Sequence, residues 1–262
     1  MTAMKIGLLQ LSRTLCTDGL QDMERALKKD MDLLLLPEKW MPIRGENVVR
    51  DDRHPFLDEV SSLSKNYGTA IITGALYESF EDEMFITSYA YGADGELLAK
   101  QRKMHLFGSE AQSFRPGYEI NYFDYLDSRI GMAICYDIDF PETVRKFALS
   151  GCDVLAVPAK IRWEGMEPWM TYVRARALEN RLPIAFANCS ESPFFRGGSA
   201  VVDLRHDGKT GIVYPSVMEI SDESHAVFEI DPSKIREERE RRLSERNLAI
   251  DAFAWEEGGG RG

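Results

Sequence analysis

The sequence has little from which a metal site, a disulfide framework or a membrane span could be built. Its 262 residues include only four histidines and four cysteines. Cys16, Cys135, Cys152 and Cys189 show no CxxC spacing and are too few to staple a chain of this length, so reduced thiols are expected. The histidines are scattered and none stands at ligand spacing from a cysteine, which disfavours zinc. Nothing approaches the roughly 20 consecutive apolar residues of a spanning helix. The strand-like run Met4 to Leu11 has no signal-peptide layout before it, and a cytoplasmic protein without a membrane partner is expected. Positive charge is also in deficit: 32 Lys and Arg face 43 Asp and Glu, a formal net charge of -11. Such a surface repels polyanions, so nucleic acid is not an expected partner.

What the chain does have is 44% apolar residues, ordinary for a globular protein and enough for a substantial core. A single domain over 1–262 is expected, with a core over about 4–230 and a charged tail over 231–262. Strand-like runs at Lys5 to Leu11, Leu33 to Leu36, Thr69 to Tyr77 and Ser88 to Tyr91 alternate with helix-compatible stretches at Gly19 to Lys29 and Pro55 to Tyr67. The second half repeats the order. Strands are expected at Arg129 to Cys135, Val154 to Val157, Ile184 to Asn188 and Ser199 to Leu204, and helices at Glu142 to Ser150 and Pro168 to Arg181.

Local wording repeats as well. Lys5-Ile6-Gly7-Leu8 answers Arg129-Ile130-Gly131-Met132, and Asp32-Leu33-Leu34-Leu35-Leu36-Pro37 answers Asp153-Val154-Leu155-Ala156-Val157-Pro158. Two similar βαβαββ halves must each cover one sheet face with helices and the other with the partner sheet. The fold class expected is therefore α/β, a four-layer αββα sandwich of two pseudo-symmetric halves. The Arg- and Glu-rich stretch Asp231 to Arg246 reads as an exposed helix whose charges are solvated, and Gly258 to Gly262 as a disordered end.

Three reactive side chains each follow a different apolar run. Cys135 closes the run Arg129 to Ile134, Glu38 closes Leu33 to Pro37, and Lys103 follows the stretch Thr87 to Ala99. The C-terminal ends of strands are where α/β enzymes keep their reacting atoms. A thiol, a carboxylate and an ammonium are the parts of a cysteine amidohydrolase that needs no histidine. Cys135 would be the nucleophile that divides one hard step into two through an acyl intermediate. Glu38 would be the general base, served by desolvation that raises its pKa. Lys103 would hold the developing oxyanion with the backbone N–H of Tyr136. Singly, each has a plainer explanation: a packed core thiol, a loop acid, a surface charge. His105 invites a Cys-His pairing, but a structural hydrogen-bonding role suits it better. Arg174, Arg176 and Glu179 read as structural ion pairs, with Glu142 a possible partner of one of the arginines.

The blocks Leu35-Leu36-Pro37-Glu38, Arg102-Lys103-Met104-His105-Leu106-Phe107 and Gly131-Met132-Ala133-Ile134-Cys135-Tyr136-Asp137 resemble, in order and spacing, the three catalytic blocks of the nitrilase superfamily of carbon-nitrogen hydrolases. Similarity continues through Phe140-Pro141-Glu142, Arg174 to Asn180 and Gly198-Ser199. The resemblance implies the αββα sandwich, a Glu-Lys-Cys triad of Glu38, Lys103 and Cys135, no metal, no cofactor, and a homodimer or higher homo-oligomer. It also implies a supporting role for Glu110, seven residues beyond Lys103, where a carboxylate would leave the site net acidic. Family members often carry His before the serine; Gly198 stands there instead. Tyr136-Asp137 after the cysteine is similar to amidases, whereas nitrilases tend to carry Trp-Glu, so a small linear amide is the expected substrate. A nitrile is the alternative, and a catalytically silent binding protein is the alternative of another class. Water or an amine could accept the acyl group.

The loop Lys39 to Asn47 and the segment Lys160 to Trp169 are expected to line the pocket. Trp40, Trp163 and Trp169 would supply apolar walls, and Lys160, Arg162 or Arg44 could hold a substrate carboxylate, as an ω-amide would need. Lys103→Ala is expected to keep the fold and lose turnover.

Overall fold

A computed structural model describes residues 3–12, 16–43, 47–221 and 224–248. Its first half runs β1 (Met4–Leu9), α1 (Cys16–Ala26), β2 (Leu33–Leu35), β3 (Val48–Arg50), α2 (Pro55–Tyr67), β4 (Ala70–Phe80), β5 (Glu83–Tyr91) and β6 (Leu97–Arg102). The second runs β7 (Tyr122–Tyr125), β8 (Ser128–Met132), α3 (Pro141–Leu149), β9 (Val154–Ala159), α4 (Met166–Asn180), β10 (Ile184–Asn188), β11 (Ala200–His206) and β12 (Val213–Glu219). The chain then returns as β13 (His225–Ile230) and closes with α5 (Arg236–Ser244). No helix among the described residues is long and apolar enough to cross a membrane.

Two sheets result, ordered β13-β1-β2-β4-β5-β6, with β3 beside β4, and β12-β11-β10-β9-β8-β7. In each, three parallel strands meet an antiparallel fourth: β1, β2, β4 then β5, and β8, β9, β10 then β11. The internal repeat thus has a structural counterpart. Alternation along the strands builds the layers. Leu33, Leu35, Val154 and Ala156 join Ile6, Leu8, Ile130 and Ala185 in a core between the sheets. Their neighbours face outward: Leu34 and Leu36 pack with Met23, Phe56 and Val60 of α1 and α2, and Leu155 and Val157 with Phe147 and Val173 of α3 and α4. The architecture is the αββα sandwich.

The two repeated aspartates do the same work. Asp32 accepts the backbone N–H of Lys5 at 2.8 Å and Asp153 that of Arg129 at 3.0 Å, tying the second strand of each half to the first. In the second half this carboxylate also receives the tail. Arg236 donates to both Asp153 oxygens at 3.0 and 2.9 Å, and Arg239 donates at 2.5 Å. The expectation of a solvated charge run therefore fails for α5. Arg239 is 3% exposed, and one face of the helix is clamped onto β9 through Asp153. The glycine-rich end lies outside the described residues. Similarly, Arg176 does not turn to Glu142 but donates to the carbonyls of Ile138 and Asp139 at 3.0 and 2.7 Å, and approaches Glu179 at 3.5 Å.

Burial alone would raise the Asp153 pKa, but Arg236, the Arg129 N–H and Arg239 hold it below the usual carboxylate range. Its contribution is thus present above the unfolded aspartate pKa of about 3.9 and is lost as pH falls through the folded value. Asp153→Asn leaves Arg239 buried without its counter-charge, and we expect a loss of about 3–5 kcal/mol in urea unfolding at neutral pH. Unchanged stability would contradict the clamp.

Candidate active site

Glu38 stands where the two sheets meet. Its N–H donates to Ala159 at the end of β9 (3.1 Å), while the Lys39 N–H donates to Ala75 of β4 (2.7 Å) and the Ala75 N–H to Pro37 (3.2 Å). This lacing needs Gly74. Its φ is +73°, and a Cβ there would lie 2.0 Å from the Pro37 carbonyl oxygen, so only glycine admits the chain carrying Glu38. The register shift between Ile72 and Ala75 marks the same spot.

Lys103 follows β6 directly, its N–H donating to Ile86 at 2.8 Å. Cys135 follows β8 at φ +47°, a conformation that costs a non-glycine residue about 1–3 kcal/mol and persists only where its surroundings enforce it. Asp137 supplies that enforcement. Fully buried, it accepts the Ile134 N–H at 2.9 Å, the Met104 N–H at 3.1 Å and the His105 N–H at 2.8 Å. One carboxylate therefore fixes both the cysteine turn and the lysine turn. His105 serves it too: Nδ1 lies 3.0 Å from Asp137 Oδ1 and the ring stacks on Phe140, which bears out the structural role.

The reactive groups converge. Lys103 Nζ donates to Glu38 at 2.8 Å and to Glu110 at 2.9 Å, and its side chain is 1% exposed. Glu110 is held by the Phe107 N–H at 2.8 Å and by the Lys39 ammonium. The Cys135 thiol stands in the same pocket, near enough to Glu38, Lys103 and the Lys160 backbone to feel all three. These residues line a pocket of about 330 Å³ with Phe107, Tyr136, Arg162, Pro168 and Trp169.

Charge placement departs from the sequence expectation in two ways. Burial pushes toward a raised Glu38 pKa, but Lys103 and Lys39 outweigh it and hold the carboxyl below its usual range. The carboxyl is thus ionised, and its pKa is not raised. Nor is the site net acidic: Lys39, foreseen only as the start of a pocket-lining loop and not for its charge, adds a second ammonium to match the second carboxylate. Burial and Glu38 raise the Cys135 thiol, against Lys103 and the Lys160 backbone, so the resting thiol is neutral beside a carboxylate. Lys103, despite burial, is held above its ordinary value by Glu38 and Glu110. The arrangement can pass a proton from sulfur to Glu38 as attack begins, while Lys103 faces the charge that leaves.

Two expected wall residues lie elsewhere. Trp40 is fully buried against Phe56 and Gly19, its Nε1 donating to Thr73 at 3.0 Å, because the turn at Lys39 directs it into the α1 side of the core. Trp163 stands 45% exposed with Arg196 over its ring, outside the pocket lining, while Trp169 supplies the wall. Lys160 lines the pocket, but its ammonium is paired with Glu191 at 3.0 Å. Arg44 lies outside the described residues. At the Gly198-Ser199 edge, Ser199 Oγ accepts the Asn188 N–H at 2.8 Å and the Ser199 N–H donates to Gln10 at 2.9 Å, so the missing histidine leaves that edge closed.

Residues 8–210 match the family model described as carbon-nitrogen hydrolase. The chain belongs to the carbon-nitrogen hydrolase family. It is 31% identical to the chloroplastic omega-amidase of Arabidopsis thaliana, over 91% of this chain and 70% of that protein. It is 29% identical to the 2-oxoglutaramate amidase of Bacillus subtilis, over 67% of this chain and 71% of that one. Among solved structures it is similar to Nit3 of Saccharomyces cerevisiae, a member of branch 10 of the nitrilase superfamily, with a TM-score of 0.77, 26% identity, and coverage of 91% and 94%. An amidase from Nesterenkonia sp. superposes with a TM-score of 0.75 at 25% identity, over 95% of each chain.

The burial of Lys103 revises one expectation. Lys103→Ala removes the cation between two buried carboxylates, and breaking such a pair costs about 3–5 kcal/mol. We expect this variant to lose turnover and to unfold at clearly lower denaturant than the parent. Parent-like stability would contradict the charge geometry described here.

Proposed function

We propose that this carbon-nitrogen hydrolase is an amidase that cleaves a small linear amide through a thioester on Cys135, releasing ammonia and a carboxylate. The single observation that carries the assignment is the convergence of Cys135, Glu38 and Lys103 in one pocket, with Lys103 hydrogen-bonded to Glu38. The amidase names of the Arabidopsis, Bacillus and Nesterenkonia relatives favour an amide over a nitrile. Glu38 takes the thiol proton, passes it to departing ammonia, and then activates the water that opens the thioester. Lys103 and the Tyr136 N–H hold the oxyanion; removal of such a donor typically costs about two to three orders of magnitude in rate. Glu110 keeps Lys103 in place.

An ω-amide with a distal carboxylate suits the mouth of the pocket. The arginine there, Arg162, lies over the Phe194 ring and is paired with Glu164 at 3.1 Å, both charged side chains about half exposed. Such surface pairs are worth about 0–1 kcal/mol, so a substrate carboxylate can displace Glu164. Lys160 is less available because Glu191 already holds it. The four cysteines are free thiols, which suits a reducing cytosolic setting. A homodimer packed through α4, where Tyr172 is 41% exposed, completes the assignment; light scattering at micromolar concentration is expected to give twice the chain mass, and a monomer would refute it.

Screening short amides, ω-amides, carbamoyl compounds and the matching nitriles for released ammonia tests the activity. Amides are expected to react and nitriles not. With an ω-amide bearing a carboxylate, Arg162→Met is expected to raise KM while leaving KM for a neutral amide near the parent value. Turnover of nitriles alone would overturn the amidase assignment.

A further inference from the structure

We propose that Lys39 is a positioning residue of this reaction, its ammonium closing a ring of alternating charge through Glu38, Lys103 and Glu110 that keeps the base ionised. The links are Glu38 to Lys103 at 2.8 Å, Lys103 to Glu110 at 2.9 Å, the direct Glu110–Lys39 contact, and Lys39 to Glu38 at 3.9 Å. Adjacent residues in extended chain point to opposite faces, so Glu38 and Lys39 would ordinarily not share a pocket. Lys39 breaks that rule with φ +48°, its N–H fixed on Ala75 at 2.7 Å, and its side chain, 22% exposed, folds back over the base. A left-handed lysine immediately after a catalytic acid is a costly arrangement, and what it achieves here is the fourth corner of the ring.

The groups facing Glu38 leave Lys39 without a substitute. Lys103 comes from the end of β6 and Cys135 from the turn after β8; Glu110, from the turn Gly108–Gln112, adds a second negative charge. From the end of β10, Cys189 donates its thiol to the Glu38 carbonyl at 3.3 Å. Lys160, beyond β9, spends its charge on Glu191 and touches the Lys39 carbonyl at 3.4 Å. Without Lys39, a single ammonium would serve two buried carboxylates.

The sign follows. Glu38 must be ionised to accept the thiol proton, so activity falls as pH drops through its pKa. Lys103 and Lys39 both hold that pKa down. Removing Lys39 lets it rise, and the acid limb of kcat/KM moves to higher pH.

This inference rests on Glu38 being the base, and the experiment separates the two. The pH profile of kcat/KM is measured with an amide substrate for the parent, Lys39→Met, Lys39→Arg and Glu38→Gln, with circular dichroism establishing the fold of each. Lys39→Met is expected to move the acid limb upward while the plateau at higher pH stays within about tenfold of the parent, and Lys39→Arg to bring the limb back. If Lys39→Met does not fold, Lys39→Gln, neutral and of similar length, carries the same expectation. An unmoved limb in a folded neutral variant, or one that Lys39→Arg does not restore, overturns the role of Lys39. Glu38→Gln is expected to lose about two to four orders of magnitude at every pH; full activity there would remove the base assignment itself.

Discussion

The site depends on burying opposite charges together at the seam between two sheets. Glu38 and Lys103 are each 1% exposed, and neither ion could persist there alone, since the desolvation of one amounts to several kcal/mol. Each is tolerable only because the other, with Glu110 and Lys39, satisfies it. The same mutual dependence produces the chemistry. A carboxylate surrounded by ammoniums stays ionised and a thiol surrounded by apolar strands stays protonated, which in the proposed reaction would let the proton pass when the substrate arrives and its oxygen takes up the charge. Preorganised dipoles in a dry pocket act strongly because little has to reorient.

The fold supplies this pocket from residues chosen for shape as much as for chemistry. Gly74 allows Pro37 to pass close enough for Glu38 to bridge the sheets. Asp137 locks the Cys135 and Lys103 turns against one another, so neither reacting group moves independently of its partner. Asp153 draws α5 onto the second half. None of these three residues lines the pocket, yet they set where its charged groups and thiol can stand.

Much of the fold was legible in the chain because apolar strand runs and amphipathic helices alternate so plainly. The helix Pro55–Tyr67 and the strand Ile184–Asn188 fall where periodicity puts them. Boundaries failed where a side chain overrode propensity: β8 stops at Met132 because Asp137 captures the Ile134 N–H. The strands β4 and β5 were placed, but their extension to a tight hairpin was invisible because its turn uses Glu81 and Asp82 at φ +49° and +63° instead of glycine or asparagine. β13 escaped notice since its partner, β1, lies at the other end of the chain. In the site, residue types at the ends of strands were readable. The direction of the Glu38 shift was not, because it depends on how closely Lys103, and then Lys39 folding backward, approach the carboxylate. Trp40 looked like a pocket wall from its nearness to Glu38, but that same turn sends it into the core.

The most direct test of the central claim is quenched-flow mass spectrometry of the enzyme mixed with an amide substrate, followed by peptide mapping. If Cys135 carries the acyl group, a transient adduct of acyl mass, the amide having lost ammonia, is confined to the peptide holding Cys135 and absent from both Cys135→Ala and Glu38→Gln. Turnover that proceeds with the acyl group on another residue, or an adduct undiminished in those variants, would contradict it.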